Sequence, residues 1–207
     1  MDPAVTVSWA SWEWRPDAAV VVAAMGIAYA VGWRRLRRQN PRAARPWRLL
    51  LYLTGLAVIA VALMSPVDAF APLLFTMHMV QHELLTMVAP PLLLLANPLP
   101  VVLWGLPRSL RHRLGRLLTR GTRLRRALRA LTWMPVTWPL YIVILWGWHL
   151  PAAYEASLRV EFLHNVQHLS FFASALLFWW PLVNPAPRLH GHIPYGFRLF
   201  YIIAAVA

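Results

Sequence analysis

The chain alternates apolar runs of bilayer length with two blocks of arginine, and that alternation restricts its fold more than any other feature. Runs near residues 17–33, 47–64, 72–96, 133–150 and 162–183 can each cross a hydrocarbon core as a helix rising about 1.5 Å per residue. Inside lipid the backbone must satisfy its own polar groups, which a helix does within one segment. The expected fold is therefore all-α: a polytopic transmembrane helical bundle of five full spans in a single domain, 1–207. A last apolar stretch, 195–207, is too short to cross. It reads as a partial sixth span or as the first part of a longer one.

The arginine blocks orient the bundle. Arg34, Arg35, Arg37, Arg38, Arg42, Arg45 and Arg48 form the first, and nine more arginines lie between Arg108 and Arg129. There is no lysine, and the net charge of +13 rests on arginine alone. Basic loops stay in the cytoplasm, so both blocks are expected inside and the N-terminus outside. Trp33, Trp47, Trp133 and Trp179 then fall at the inner boundary, and Trp14, Trp146 and Trp148 at the outer one, as interfacial tryptophans do. Trp9, Trp12 and Trp14 suit a short segment resting in the headgroup layer. Met1-Asp2-Pro3 lacks a basic n-region, so no removable signal peptide is expected and the first span should stay as an anchor.

Within 108–131, leucines recur at helical spacing among the arginines. The expectation is one amphipathic helix on the cytoplasmic leaflet, drawn to anionic lipid; a solvated basic loop is the plainer alternative. The Pro90-Pro91 pair removes two backbone donors and is expected to kink or break span three near its inner end.

Two short patterns supply chemistry. His78-Met-Val-Gln-His82 lies early in the third run, which ends at Asn97-Pro98, and His164-Asn-Val-Gln-His168 opens the fifth, which ends at Asn184-Pro185. Imidazoles four residues apart share one helix face. Both helices run inward in the topology above, so the two pairs lie in the outer half of the bilayer, with His149 at the outer end of span four. His78, His82, His164 and His168, with His149, are thus expected to form a metal site. Ionisable groups at such depth are costly unless they serve a function.

With no cysteine, thiolate sites and disulfides are excluded. Imidazole suits copper, zinc, iron or nickel, and Met77 and Met79 would add thioethers that favour Cu(I), although they lie about 100° to either side of His78. Packing against lipid or a helix is the plainer role for both. Gln81 and Gln167 either orient a ring or bond between helices. Glu83 has three available roles: charge balance for the site, proton relay, or pairing with an arginine. His112, His190 and His192 read as ordinary interfacial residues. The zinc-protease His-Glu-x-x-His, glycine-rich phosphate loops, Gly-x-Ser-x-Gly and nucleic-acid modules are all missing, so neither an enzyme nor a nucleic-acid binder is expected.

His78 to His82, Met87-Val-Ala-Pro-Pro-Leu92 with Asn97-Pro98, Trp148-His-Leu-Pro-Ala-Ala-Tyr154, and His164 to His168 up to Trp179-Trp180-Pro181 together resemble the multi-span CtaG-like cytochrome c oxidase assembly proteins. The resemblance covers roughly residues 45–200. It implies a bacterial plasma-membrane protein that handles copper for a haem-copper oxidase subunit, with a copper chaperone as a further partner. That family has about seven spans, and Glu83 stands where an apolar residue is expected. A haem-binding electron-transfer or haem-handling protein is the alternative, with one axial histidine on each facing helix. A scaffold in which the histidines only pack helices is a third.

Overall fold

The computed structural model describes Ser8, Ser11, Trp12 and residues 14–206. The Met1-Asp2-Pro3 start, Trp9 and Ala207 lie outside the described residues. Among those described, every regular element is a helix.

The first arm is α1 (Pro16–Gln39) and α2 (Pro46–Met64), each begun by a proline where a missing N–H costs nothing. A short α3 (Pro66–Phe70) is capped by Ser65, whose hydroxyl accepts from the Val67 amide. Then α4 (Phe75–Glu83) runs into a π-helical turn, Leu84–Val88, and on into α5 (Ala89–Leu95). After Asn97 the chain bends by 60° into α6 (Pro98–Gly105). Two arginine-rich helices follow, α7 (Arg108–Leu117) and α8 (Arg123–Leu131), and a 58° bend leads into α9 (Met134–His149). The last elements are α10 (Pro151–Arg159), α11 (Glu161–Val183) and α12 (Tyr195–Val206).

Among the described residues, three helices are long and apolar enough to cross a membrane: Pro16–Gln39, α2 continued through α3 as Pro46–Phe70, and Glu161–Val183. The number rises to five if each bent pair makes one crossing. The single amphipathic helix expected over 108–131 is instead two, split at a turn where Gly121 takes φ of 94°, a conformation open to glycine at little cost. Both halves keep a leucine face: Leu110, Leu117, Leu124 and Leu131 are all exposed.

The expected proline kink is also displaced. Pro90 and Pro91 sit in the first turn of α5, directly after the π-helical turn. A proline has no N–H to give back to the preceding turn, and the wider π winding accommodates the lost bonds without a sharp bend. The Thr86 carbonyl, four residues before Pro90, is taken by the Trp179 indole N–H at 3.0 Å. The break comes at Asn97, which is left-handed (φ 56°), and α11 ends the same way at Asn184 (φ 50°). Asparagine tolerates this conformation better than other L residues, and the proline that follows each one stops the helix. The two Asn-Pro turns then dock: the Asn97 side-chain oxygen accepts from the Ala186 amide at 2.7 Å.

Two apolar clusters hold the bundle. One joins α1, α2, α5 and α6 through Tyr29, Trp33, Tyr52, Leu56, Leu93 and Val101. Tyr29 stacks on Tyr52 at 3.9 Å and gives its hydroxyl proton to the Ala96 carbonyl at 2.9 Å, closing the end of α5. Helices α1 and α6 approach so closely that a Cβ on Gly32 would fall 2.0 Å from the Val101 carbonyl oxygen. The second cluster joins α9, α11 and α12 through Tyr141, Phe178, Leu182 and Tyr201, whose hydroxyl meets Thr137 at 2.8 Å. Because α11 packs on both α9 and α5, the two clusters share one wall.

Candidate metal centre

Helix spacing brings the histidine pairs onto facing surfaces. On α4, His78 and His82 are 1% and 5% exposed, with Gln81 fully buried between them; on α11, Gln167 and His168 are 1% and 5% exposed. His164, one turn earlier, is half-buried. Ring centroids lie 6.1 Å apart for His78 and His164, and 5.4 Å apart for His82 and His168. His149 enters from the end of α9, 6.5 Å from His82. The four histidines singled out by spacing, and His149 at the end of α9, therefore meet in one chamber. Phe171 lies against the His82 ring at 4.7 Å, and Tyr154 approaches His78 edge-on at 5.5 Å.

Hydrogen bonding within the chamber is incomplete. The Nε2 atoms of His78 and His82 are 2.8 Å apart, so one ring donates and the other accepts. Their Nδ1 atoms, and both ring nitrogens of His168, are buried without a partner among the described residues. A buried polar group in that condition costs roughly 1–3 kcal/mol. In His149, Nδ1 lies 2.6 Å from the Leu145 carbonyl oxygen. A carbonyl only accepts, so Nδ1 carries the proton and Nε2 keeps its lone pair, the arrangement found in metal-bound histidine.

A donor set of five imidazoles with no thiolate is one that copper, zinc, iron or nickel accepts. Among the described residues, no three His, Asp or Glu side chains stand already arranged around an ion position. Two imidazole nitrogens on one tetrahedral ion would be about 3.3 Å apart. His78 and His82 are drawn closer than that by their own hydrogen bond.

The auxiliary residues have distinct surroundings. Gln81 donates its amide to the Ala62 carbonyl at 2.8 Å and to the Asp68 carboxylate, so it ties α4 to α2 and α3 rather than orienting a ring. Gln167 is buried beside His168, its oxygen unpartnered among the described residues. Met79 and Glu83 line a cavity of about 250 Å³ on the far side of His82, shared with Met87, Tyr141 and His149. Met77 is half-buried and does not line that cavity. Sequence reasoning does not single out Tyr154 or Phe171. Phe171 follows His168 by three residues, the spacing of a shared helix face, and this signal was present in the sequence.

The chamber opens at the end of the bundle where α1 and α11 begin and α10 ends. His78, Ser157, Glu161 and His164 line one cleft, and Asp17, Asp68, Glu161 and His164 line its neighbour. Arg15 bridges the rim, donating to Asp17 at 3.1 Å and to Asn165 at 2.8 Å. His112, His190 and His192 take no part.

An all-helical bundle with bilayer-length apolar helices defines a polytopic membrane protein, and this one gathers five imidazoles in a buried chamber. The profile of the cytochrome c oxidase caa3 assembly factor family matches residues 27–207. This chain belongs to that family. Among curated proteins it is similar to the uncharacterized protein Mb0105 of Mycobacterium bovis and the uncharacterized protein MT0111 of Mycobacterium tuberculosis, each 27% identical over 212 residues. The uncharacterized protein ML1998 of Mycobacterium leprae is 26% identical over 212 residues. Each alignment covers 93% of this chain and 30% of the relative, so the chain spans less than a third of the length of the curated relatives it matches. No solved structure matches it.

Proposed function

We propose that this protein binds copper among His78, His82, His164 and His168, with His149 in support, and passes it to a haem-copper oxidase subunit during assembly. The observation that carries the reading is the meeting of five imidazoles from three helices, with four buried ring nitrogens left without partners among the described residues. Family membership supplies the oxidase, and the all-imidazole donor set is one that copper accepts. The oxidase subunit is the acceptor, and a soluble copper chaperone is the donor. A ligand set that must open a hydrogen bond to close on its ion suits delivery, which requires release.

The proposal extends to topology. The protein sits in a bacterial plasma membrane as one domain of five full spans and a partial sixth, N-terminus outside, with the chamber toward the outer face. Acidic groups at the chamber mouth and arginine at the opposite end agree with this polarity. Anionic lipid meets the basic helices on the inner side. Glu83 and Met79 serve the lateral side of the chamber, where a thioether beside His82 suits Cu(I).

The test is copper analysis of protein purified in mild detergent. Wild type should retain about one equivalent of added Cu(I) per chain, and a His78→Ala/His164→Ala variant should lose it. Equal retention by both sinks the copper reading, and a strong Soret band in the purified protein would replace it with haem.

A further inference from the structure

At the end opposite the histidines, Arg120, Arg125, Arg126, Arg129, Arg188 and His190 line a cleft of about 460 Å³. It is assembled from two regions distant in sequence: the turn after α7 with the adjoining helix α8, and the loop between α11 and α12. Arg125 clamps them together. Its guanidinium donates to the Leu118 carbonyl at 3.0 Å and to the Arg188 carbonyl at 2.6 Å. His190 is fixed as well. The Thr132 hydroxyl gives its proton to the Leu128 carbonyl at 2.7 Å, so the His190 Nε2–H donates to Thr132 at 2.8 Å. The His190 carbonyl in turn accepts from the Asn184 amide at 3.1 Å.

The other four guanidiniums have neither a hydrogen-bond acceptor nor an ion-pair partner among the described residues. The two ion pairs there are Arg15 with Asp17 and Arg159 with Glu155. No carboxylate lines the cleft. Four exposed like charges around one concave, pinned framework set up a positive potential that draws an anion. A guanidinium fork matches the paired oxygens of a phosphate, and several forks around one cavity suit a phosphodiester or phosphomonoester.

We propose that this cleft is a binding site for a phosphate-bearing anion, supplied as the headgroup of an anionic lipid. Its surroundings favour lipid over free phosphate. Leu117, Leu124 and Leu131 stand exposed on the neighbouring helices, and Trp133, 57% exposed, marks the start of apolar α9. Such side chains lie at the level of the acyl boundary, which puts the cleft at headgroup depth. The inference rests on the reading above that anionic lipid meets the basic helices and narrows it to one headgroup cleft; it is separate from the histidine chamber and from the copper reading.

The full chain, purified in a non-ionic detergent, can be titrated with short-chain phosphatidylglycerol while retained lipid is followed by native mass spectrometry. Parallel arms use phosphatidylcholine and inorganic phosphate. One phosphatidylglycerol per chain is expected, weakened about tenfold or more in Arg126→Gln/Arg188→Gln, since hydrogen bonds to charged groups are lost. Arg34→Gln/Arg38→Gln removes the same charge from the other basic block and should bind within about twofold of wild type on the same scale. Equal weakening in that control, or equal binding of phosphatidylcholine, overturns the site. Displacement by inorganic phosphate at matching concentrations overturns the lipid assignment and leaves a free-anion site. If the double variant does not fold, Arg120→Gln on the exposed turn should weaken binding in the same direction, and wild-type binding there overturns the proposal.

Discussion

Replacing His168 by leucine should make the metal-free protein more stable while removing a ligand of the proposed site. Both ring nitrogens of His168 are buried without a partner among the described residues, and the ring is 5% exposed. An unsatisfied buried donor or acceptor costs about 1–3 kcal/mol, so the two together set an upper range of roughly 2–6 kcal/mol. Leucine is similar in volume, and an imperfect fit returns up to about 1.5 kcal/mol. With that penalty taken in full the net gain is about 0.5–4.5 kcal/mol, at some 2–4 °C in melting temperature per kcal/mol for a chain of this length. The assay is a thermal melt in detergent, with and without Cu(I). Wild type should melt lower than His168→Leu without metal and gain stability when copper is added, because a ligand bound only by the folded state shifts the equilibrium by mass action. His168→Leu should gain little. A variant that melts below wild type in the absence of metal would refute the orphan-nitrogen argument. An equal copper-induced shift in both proteins would refute the role of His168 as a ligand.

Three further outcomes follow from the packing. Gly32→Ala should destabilise by about 2–3 kcal/mol or more, since its Cβ meets a backbone carbonyl at 2.0 Å, whereas Gly55→Ala meets the movable Leu93 side chain at 2.9 Å and should cost about 1 kcal/mol; paired thermal melts rank them. Trp179→Phe should cost about 1–2 kcal/mol by freeing the Thr86 carbonyl, while Trp180→Phe, whose indole N–H is buried without a partner among the described residues, should be neutral or stabilising in the same melts. The third concerns pH. Burial, with Arg129 nearby, holds His190 below the usual histidine range, so the folded state resists protonation that the unfolded chain accepts. Its contribution is complete above about pH 6.5 and is lost as pH falls below that value, so His190→Gln should lose less stability than wild type in melts taken across that range.

The helices and the chamber were legible in the sequence to different depths, for physical reasons. Apolar runs mark α1, α2, α9 and α11 because lipid and core both demand continuous apolar stretches. Spacing marks His78, His82, His164 and His168 because four residues make one turn. No bilayer-length apolar run covers residues 151–159, yet α10 forms there, and Pro151 directly after Leu150 is an acceptable first helical residue. The short α6 was not assigned at all: Asn97-Pro98 was recognised as the end of a run, but the apolar residues beyond it were not seen to fold back onto α1 through Gly32 and Gly105. Gly121 offered a break in the arginine-rich stretch that leucine periodicity concealed. Gln81 had two roles open because its partners, Ala62 and Asp68, come from elements whose placement depends on tertiary packing.

The π-helical turn at Leu84–Val88 adds one residue to the winding between the histidines and the prolines. A single added residue turns everything after it by about 100° relative to an uninterrupted helix. The segment therefore works as an indexing joint, directing His78 and His82 toward α11 while Ala89 and Leu93 are buried in the cluster with α1 and α2. Deleting one residue from this turn would leave helix on both sides and every histidine in the chain. It would also turn one of those two faces away from its partner.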